Sequence, residues 1–148
     1  MRVLTTAMTS AAIVALSTVA APAFAAEKHD SAAPQAAGCI GANFNERRSL
    51  NSGEAICKGN YLVRMQPNGD LVLRVISTGR ACWHSGTYTA GASATFHAGR
   101  PGNPPARPYV QIAGTRLEGA NNLGDLGTNA NVNSNGEFWI GYAKRGAC

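Results

Sequence analysis

A row of side chains at alternate positions marks the part of this chain where binding chemistry is concentrated. Gln66, Asn68, Asp70, Val72 and Arg74 recur at every second residue. They place amides, a carboxylate and a guanidinium, all directional hydrogen-bonding groups, around one apolar side chain. Because successive residues of a strand point to opposite faces, this spacing predicts a polar binding face.

The residues between them predict the element that positions this face. Its opposite, apolar side comprises Val63, Met65, Leu71 and Leu73. A two-residue turn at Asn68-Gly69 would mix polar and apolar residues on each face. A three-residue loop, Pro67-Asn68-Gly69, pairs Gln66 with Asp70 and keeps each face largely consistent. Because register follows the buried face, and glycine suits the last, left-handed position of such a loop, we predict the three-residue loop.

The rest of the chain predicts an all-β fold. It has 17 glycines and short alternating runs, and it lacks helical periodicity after the first residues. The predicted strands are 54–57, 61–66, 70–76, 81–85, 94–97, 109–113, 116–118, 130–133 and 138–143. Residues 100–108 (RPGNPPARP) predict a surface loop or spacer, because proline donates no ladder hydrogen bond.

The beginning of the chain predicts export. Arg2 precedes an uncharged apolar run over residues 3–21, and Ala23-Phe24-Ala25 provides a small-x-small cleavage motif. We therefore expect a signal peptide over residues 1–25, a disordered Ala-, Pro- and Ser-rich leader over 26–38, a single domain over 39–148, and a secreted protein.

The cysteines predict disulfides. Cys39, Cys57, Cys82 and Cys148 all follow the predicted cleavage site, and an even number in an oxidising compartment favours two bridges. The chain has no Cys-x-x-Cys pair, so the spacing of the cysteines does not predict a metal site. Three connectivities are open. Cys57 and Cys82 lie near the two ends of the segment that contains the hairpin described above, which favours a Cys57–Cys82 bridge. Cys39–Cys148 would then tie the termini of the domain together.

Charge argues against nucleic acid as the partner. The net charge is +5, but the basic residues are scattered singly apart from Arg47-Arg48 and Lys144-Arg145. A nucleic-acid site needs such charges concentrated and interleaved with aromatic residues. We expect no nucleic-acid binding, no membrane insertion and no cofactor, with attraction to anionic cell-wall polymers remaining open.

Three sub-motifs together resemble a known family, the bulb-type mannose-binding lectins. The sub-motifs are Leu50-x-x-Gly53-x-x-Ile56, then Gly59-x-Tyr61-x-Val63-x-Met65-Gln66-x-Asn68-Gly69-Asp70-Leu71-Val72-Leu73, then Trp83-x-Ser85-x-Thr87. The family pattern is Q-x-D-x-N-x-V-x-Y followed by W-x-S-x-T. The resemblance implies a β-prism of three small antiparallel sheets about a pseudo-threefold axis. It also implies one potential sugar pocket per sheet, metal-independent binding, and dimers as a common assembly.

Mapped onto this chain, the resemblance implies a carbohydrate site at Gln66, Asn68, Asp70, Val72 and Arg74. Asn68 and Asp70 exchange the order of the family's Asp and Asn, and Arg74 replaces its Tyr. Arg74 supplies only donors and carries charge. With Arg64 opposite Val72, the two arginines near Asp70 predict either an ion-pair cluster or a pocket for an acidic sugar.

Two later segments are weaker copies of the motif. In the first, Gln111 is kept, but Ala113 and Thr115 stand where Asp and Asn are expected, so we expect no mannose pocket there. The second supplies a weaker second candidate site, whose members are Asn133, Asn135, Glu137 and Trp139. Either Phe138 or Trp139 must point inward. We place Trp139 in the core; the alternative is that its ring stacks on a sugar.

Other residues have simpler structural interpretations. Trp83 is expected in the core and the neighbouring His84 outside it. The histidines are isolated, and Ser85 lacks the G-x-S-x-G context of a nucleophile, so we expect no enzyme. The alternative to a lectin is a secreted protein-binding module, an inhibitor or bacteriocin-like toxin on a degenerate lectin scaffold.

Overall fold

Short alternating segments pair into three open antiparallel sheets. The computed structural model describes residues 38–148, which contain strands but no helix. The strands are β1 (Asn43–Phe44), β2 (Ala55–Lys58), β3 (Tyr61–Met65), β4 (Leu71–Val75), β5 (Ala81–His84), β6 (Ala94–His97), β7 (Tyr109–Ile112), β8 (Thr115–Glu118), β9 (Ala130–Val132), β10 (Glu137–Ile140) and β11 (Ala143–Ala147). Their orders are β2-β3-β4-β5, β6-β7-β8 and β1-β9-β10-β11. The all-β prediction is confirmed.

The predicted strands agree closely with this set, with two differences. β1 was not predicted, and the predicted strand 138–143 is two strands, β10 and β11. The signal peptide and all of the leader except Gly38 lie outside the described residues. Gly38 itself accepts a hydrogen bond of 2.9 Å from the Ala55 amide.

The hairpin formed by β3 and β4 has the predicted three-residue loop. Met65 pairs with Leu71 and Val63 with Leu73, as the parity of the apolar residues requires. The Gln66 amide donates to the Asp70 carbonyl at 2.9 Å, and Gly69 has a positive φ of 90°. Glycine adopts that left-handed conformation without steric cost.

The hairpin formed by β9 and β10 repeats this turn. The Asn133 amide donates to the Glu137 carbonyl at 3.1 Å, and Gly136 has a φ of 76°. The β7–β8 hairpin differs, because Ile112 pairs with Thr115 across only two loop residues.

One apolar cluster joins the three sheets. The inward residues of each strand pair are buried and contact one another, which removes their apolar surface from water. Its members include Ile56, Val63 and Leu73 from the first sheet, Phe96 and Ile112 from the second, and Phe44 and Phe138 from the third. Trp83 is half-buried against this cluster, 5.5 Å from Phe138 between ring centroids, as its predicted core role requires.

The expected disulfide pairing is wrong. The bridges join Cys39 to Cys57 and Cys82 to Cys148, with Cα atoms 5.7 and 5.0 Å apart. The segment from Cys39 to Gly41 runs along β2, where the Ile40 amide donates to the Ala55 carbonyl at 2.8 Å and the Cys57 amide to the Gly41 carbonyl at 2.6 Å. These hydrogen bonds bring Cys39 next to Cys57.

The second bridge follows from contact between two sheets. β5 packs against β11, and Gly146 of β11 lies so close to Trp83 that an added Cβ would fall 2.5 Å from its ring. This places the end of the chain beside Cys82. Two disulfides are more typical of extracellular proteins. Among residues 38–148, no helix has the length and hydropathy needed to cross a membrane.

The two bridges should stabilise the domain unequally. They close chain segments of 18 and 66 residues. Loop-closure entropy then gives about 3 kcal/mol for Cys39–Cys57 and about 4 kcal/mol for Cys82–Cys148. We expect the Cys82→Ala/Cys148→Ala double variant to unfold at lower urea concentration than Cys39→Ala/Cys57→Ala. The reverse order would contradict the entropic account, and non-reducing peptide mapping checks the pairing itself.

Candidate functional site

Asp70, the central acceptor of the first predicted site, is engaged by the segment that follows β5. Its side chain is buried, with the residue 5% exposed. Oδ1 accepts hydrogen bonds from the Ser85 hydroxyl at 2.9 Å and the Gly86 amide at 3.0 Å. Oδ2 lies 3.4 Å from Nδ1 of His84, whose side chain is otherwise exposed as predicted. These contacts occupy acceptor positions of the Asp70 carboxylate that a sugar hydroxyl would need for its own hydrogen bond.

The two hydroxyls of Trp83-x-Ser85-x-Thr87 complete this connection. The Leu71 amide donates to Ser85 Oγ at 3.0 Å, and Thr87 Oγ1 donates to the Gly69 carbonyl at 2.7 Å. Ser85 Oγ and Thr87 Oγ1 lie 2.7 Å apart. The motif therefore holds the tip of the first hairpin against the chain after β5.

The remaining residues of the first site lie along the same hairpin, and in the described part of the chain none of their side chains bonds to the Asp70 carboxylate. Asn68 is in the exposed loop, where its Oδ1 accepts the Asp70 amide at 3.0 Å, and Gln66 is half-buried. Val72 is only 3% exposed. Arg74 Nη1 donates to the Gly79 carbonyl at 2.9 Å, which braces the turn before β5 rather than forming an ion pair with Asp70.

The second predicted site does form a cluster, which we call the Glu137 cluster: Asn133, Glu137, Trp139 and Lys144. Asn133 Nδ2 donates to Glu137 Oε2 at 2.8 Å, and Trp139 Nε1 approaches the same oxygen at 3.3 Å. Lys144 Nζ donates to Glu137 Oε1 at 3.0 Å and lies 5.9 Å from the centroid of the Trp139 ring. An aromatic ring, an amide, a carboxylate and an ammonium thus meet on one surface.

The hairpin turn orients the amide of this cluster. Asn133 Oδ1 accepts the backbone amides of Asn135 and Glu137, each at 3.0 Å. The oxygen must therefore face the turn, and Nδ2 faces the Glu137 carboxylate. Asn135 takes part through its backbone only, with an exposed side chain.

Glu137 is held in its ionised form. The hydrogen bond from Asn133, followed by that from Lys144, lowers the pKa of the Glu137 carboxyl below its ordinary value of 4.5, against a smaller opposing effect of desolvation. A carboxylate in this state accepts hydrogen bonds and does not donate them.

The prediction that Trp139 lies in the core is wrong. Phe138 and Ile140 are fully buried, so the alternation of β10 directs Glu137 and Trp139 to the outer face, where Trp139 is half-buried. Phe138 takes the inward position because it pairs with Val132, another core residue.

Sequence reasoning missed Lys144. It pairs with Trp139 in the β10–β11 register, just after a register shift between Phe138 and Trp139. The available signal was the Tyr142-Ala143-Lys144-Arg145 segment after Gly141, which could have been interpreted as a separate strand.

The outer face of β6–β7–β8 carries two open clefts. One, of about 570 Å³, is lined by hydroxyl and amide side chains that include Ser93, Thr95 and Gln111. Gln111 donates from Nε2 to the Ala113 carbonyl at 3.1 Å, in the two-residue turn between β7 and β8. The other, of about 400 Å³, is lined by charged and aromatic side chains.

Comparison with known proteins found no matching family model, curated protein or solved structure. Over residues 38–148, no group of three or more His, Cys, Asp or Glu side chains is arranged to hold a metal ion. What the Glu137 cluster offers chemically is a set of oriented donors and acceptors beside an aromatic ring.

Removing the Asn133 amide should raise the pKa of Glu137. In Asn133→Ala the largest stabilising hydrogen bond to the carboxylate is lost, so the pKa of Glu137 should move up toward 4.5. A ¹³C-detected NMR titration of the Glu137 carboxyl measures this. Asn135→Ala is the matched control, because the Asn135 side chain donates no bond to Glu137. An unchanged midpoint in Asn133→Ala would contradict the assigned geometry.

The contact between the first hairpin tip and the chain after β5 predicts an unequal effect of two glycine substitutions. Gly69 and Gly59 both have positive φ, 90° and 59°. A Cβ on Gly69 would overlap the backbone of Thr89, whereas nothing lies within 4 Å of one on Gly59. We expect Gly69→Ala to cost about 1–3 kcal/mol more than Gly59→Ala in urea unfolding. Equal costs would mean that the tip is not packed as described.

Proposed function

We propose that the protein is secreted and binds carbohydrate without a metal ion, on the β-prism scaffold of the bulb-type lectins. Three sheets that share one core, two of them with the same hairpin turn, support this scaffold. The Trp83-x-Ser85-x-Thr87 segment supports it further, because it holds the hairpin that carries the resembling motif.

The observation that carries the proposal is the Glu137 cluster. Carbohydrate hydroxyls need both donors and acceptors at fixed angles, and the ring carbons need an apolar contact. Trp139 offers a half-buried ring, Glu137 accepts, and Asn133 and Lys144 donate. We assign the principal site to this cluster rather than to the first hairpin, because Asp70 and Val72 are buried there, whereas Glu137 and Trp139 are partly exposed.

The ligand class that fits is a neutral hexose of the mannose type. The Glu137 and Lys144 charges are paired at 3.0 Å, so the cluster presents no net charge that would demand a charged sugar. Adjacent hydroxyls of a hexose can donate to the carboxylate and accept from the ammonium at the same time.

A glycan array, followed by calorimetric titration with the best glycan, tests the assignment. Trp139→Ala should lower affinity at least tenfold, about 1.4 kcal/mol, because the ring contact is lost. Glu137→Gln should weaken binding by exchanging an acceptor oxygen for a donor. Tyr142→Ala, which removes a nearby aromatic ring that is 46% exposed, is the matched control and should bind normally.

The outcomes separate the two candidate sites. Loss of binding in Gln66→Ala with normal binding in Trp139→Ala would move the site to the first hairpin. A blank array would overturn carbohydrate binding. Binding should also persist as pH falls to about 4.5 and weaken only below it, since the Glu137 carboxylate has a lowered pKa and must be protonated to lose its acceptor role.

A protein-binding module is the second candidate. Leu123 is 97% exposed and Tyr88 67% exposed, and large apolar side chains in such positions are frequent at protein interfaces. A blank array together with a stoichiometric protein complex that Leu123→Ser disrupts would favour this function.

A further inference from the structure

The smaller cleft on the outer face of the second sheet is built differently from the Glu137 cluster. It lies between β6–β8, the segment that contains Glu46, and the proline-rich loop over residues 100–108. Its volume of about 400 Å³ is in the range of small-molecule sites. We call it the Arg107 cleft after the arginine that the loop places in its wall.

A stacked set of side chains makes one surface of the cleft rigid. The Tyr109 ring stacks on His97 with centroids 4.4 Å apart and an angle of 12° between planes. The Arg116 guanidinium lies 3.6 Å from the centroid of the same ring. Because β6 and β8 flank β7 on opposite sides, Tyr109 is held between the two groups.

Arg107 is anchored through its backbone neighbours. Ala106 and Arg100 exchange two backbone hydrogen bonds of 3.0 and 3.1 Å, and the Ala106 carbonyl also accepts Asn121 Nδ2 at 2.9 Å. On the other side, the buried Pro108 accepts the Gly119 amide at 2.7 Å. The backbone at Arg107 is thus held in place before any ligand binds, which lowers the part of the entropic cost of binding that comes from ordering the loop.

The charges of the cleft leave one cation uncompensated. Arg100 pairs with Glu46 at 2.7 Å and Arg116 with Glu118 at 3.3 Å. Arg107 forms no ion pair with any residue in 38–148. The cleft therefore favours a single negative charge, which a guanidinium binds through two parallel hydrogen bonds when the partner is a carboxylate.

We infer that the Arg107 cleft binds a hexuronic acid residue of an acidic polysaccharide, with its carboxylate on Arg107. With both glutamates paired, the cleft offers one cation, which matches a carboxylate better than a phosphate carrying nearly two charges, while the glutamate oxygens and the Tyr109 ring suit sugar hydroxyls and ring carbons. The choice of a sugar rests on the proposed carbohydrate binding; the preference for a monoanion rests on the cleft alone.

Titration of the full chain with a defined trigalacturonate tests the inference. Arg107→Ala should weaken binding at least tenfold, and raising the salt concentration should weaken it as well. Arg107→Lys should recover only part of the loss, because lysine cannot bind a carboxylate in bidentate fashion. Arg80→Ala removes the same charge from an exposed turn outside the cleft and should bind as the parent does.

The outcomes distinguish this site from the proposed neutral-sugar site. Binding of trigalacturonate that survives Trp139→Ala but not Arg107→Ala supports the inference, even if the glycan array shows no neutral ligand. Equal loss in Arg80→Ala, or binding of the neutral trisaccharide with equal affinity, overturns it. Competition by inorganic phosphate at lower concentration than galacturonate, or Arg107-dependent binding to phosphatidylglycerol vesicles with none to trigalacturonate, also overturns it.

Discussion

The buried carboxylate of Asp70 fixes the relation between the first hairpin and the chain that leaves its sheet. It accepts hydrogen bonds from Ser85 and Gly86, while Thr87 donates to the carbonyl of Gly69 beside it. A buried carboxylate without such partners would cost several kcal/mol, so the hairpin tip and the segment after β5 must form together. After this contact the chain continues through Thr89 to β6.

The third sheet uses the same turn with a different result. Glu137 occupies the place of Asp70 after the left-handed glycine, but its side chain is longer and stands on the outer face of β10. There the neighbouring strand β11 supplies Lys144, and the carboxylate meets Asn133, Trp139 and Lys144 instead of a backbone amide. One turn geometry therefore serves a structural contact in one sheet and an open polar cluster in another.

The sequence predicted the features that depend on the alternation of side chains along a strand. The loop at 67–69 and the buried residues Val63 and Leu73 follow from alternation, and the structure has both. The disulfides were missed because Cys39 reaches Cys57 only through a parallel run along β2, which leaves no local pattern. The prediction for Trp139 was wrong because the alternation of the strand allows either Phe138 or Trp139 to point inward. Phe138 does so, in register with the core residue Val132.

The two proposed sites lie on different sheets and would select a ligand in different ways. In the Glu137 cluster each charge has an opposite partner within the cluster, so selectivity would come from hydrogen-bond direction and ring contact. In the Arg107 cleft β7 and β8 supply Tyr109, Arg116 and Glu118, while the proline-rich loop supplies the uncompensated charge. A short proline-rich segment is then enough to change the charge of a face without altering the core beneath it, because Val110 and Leu117 point inward from the same strands.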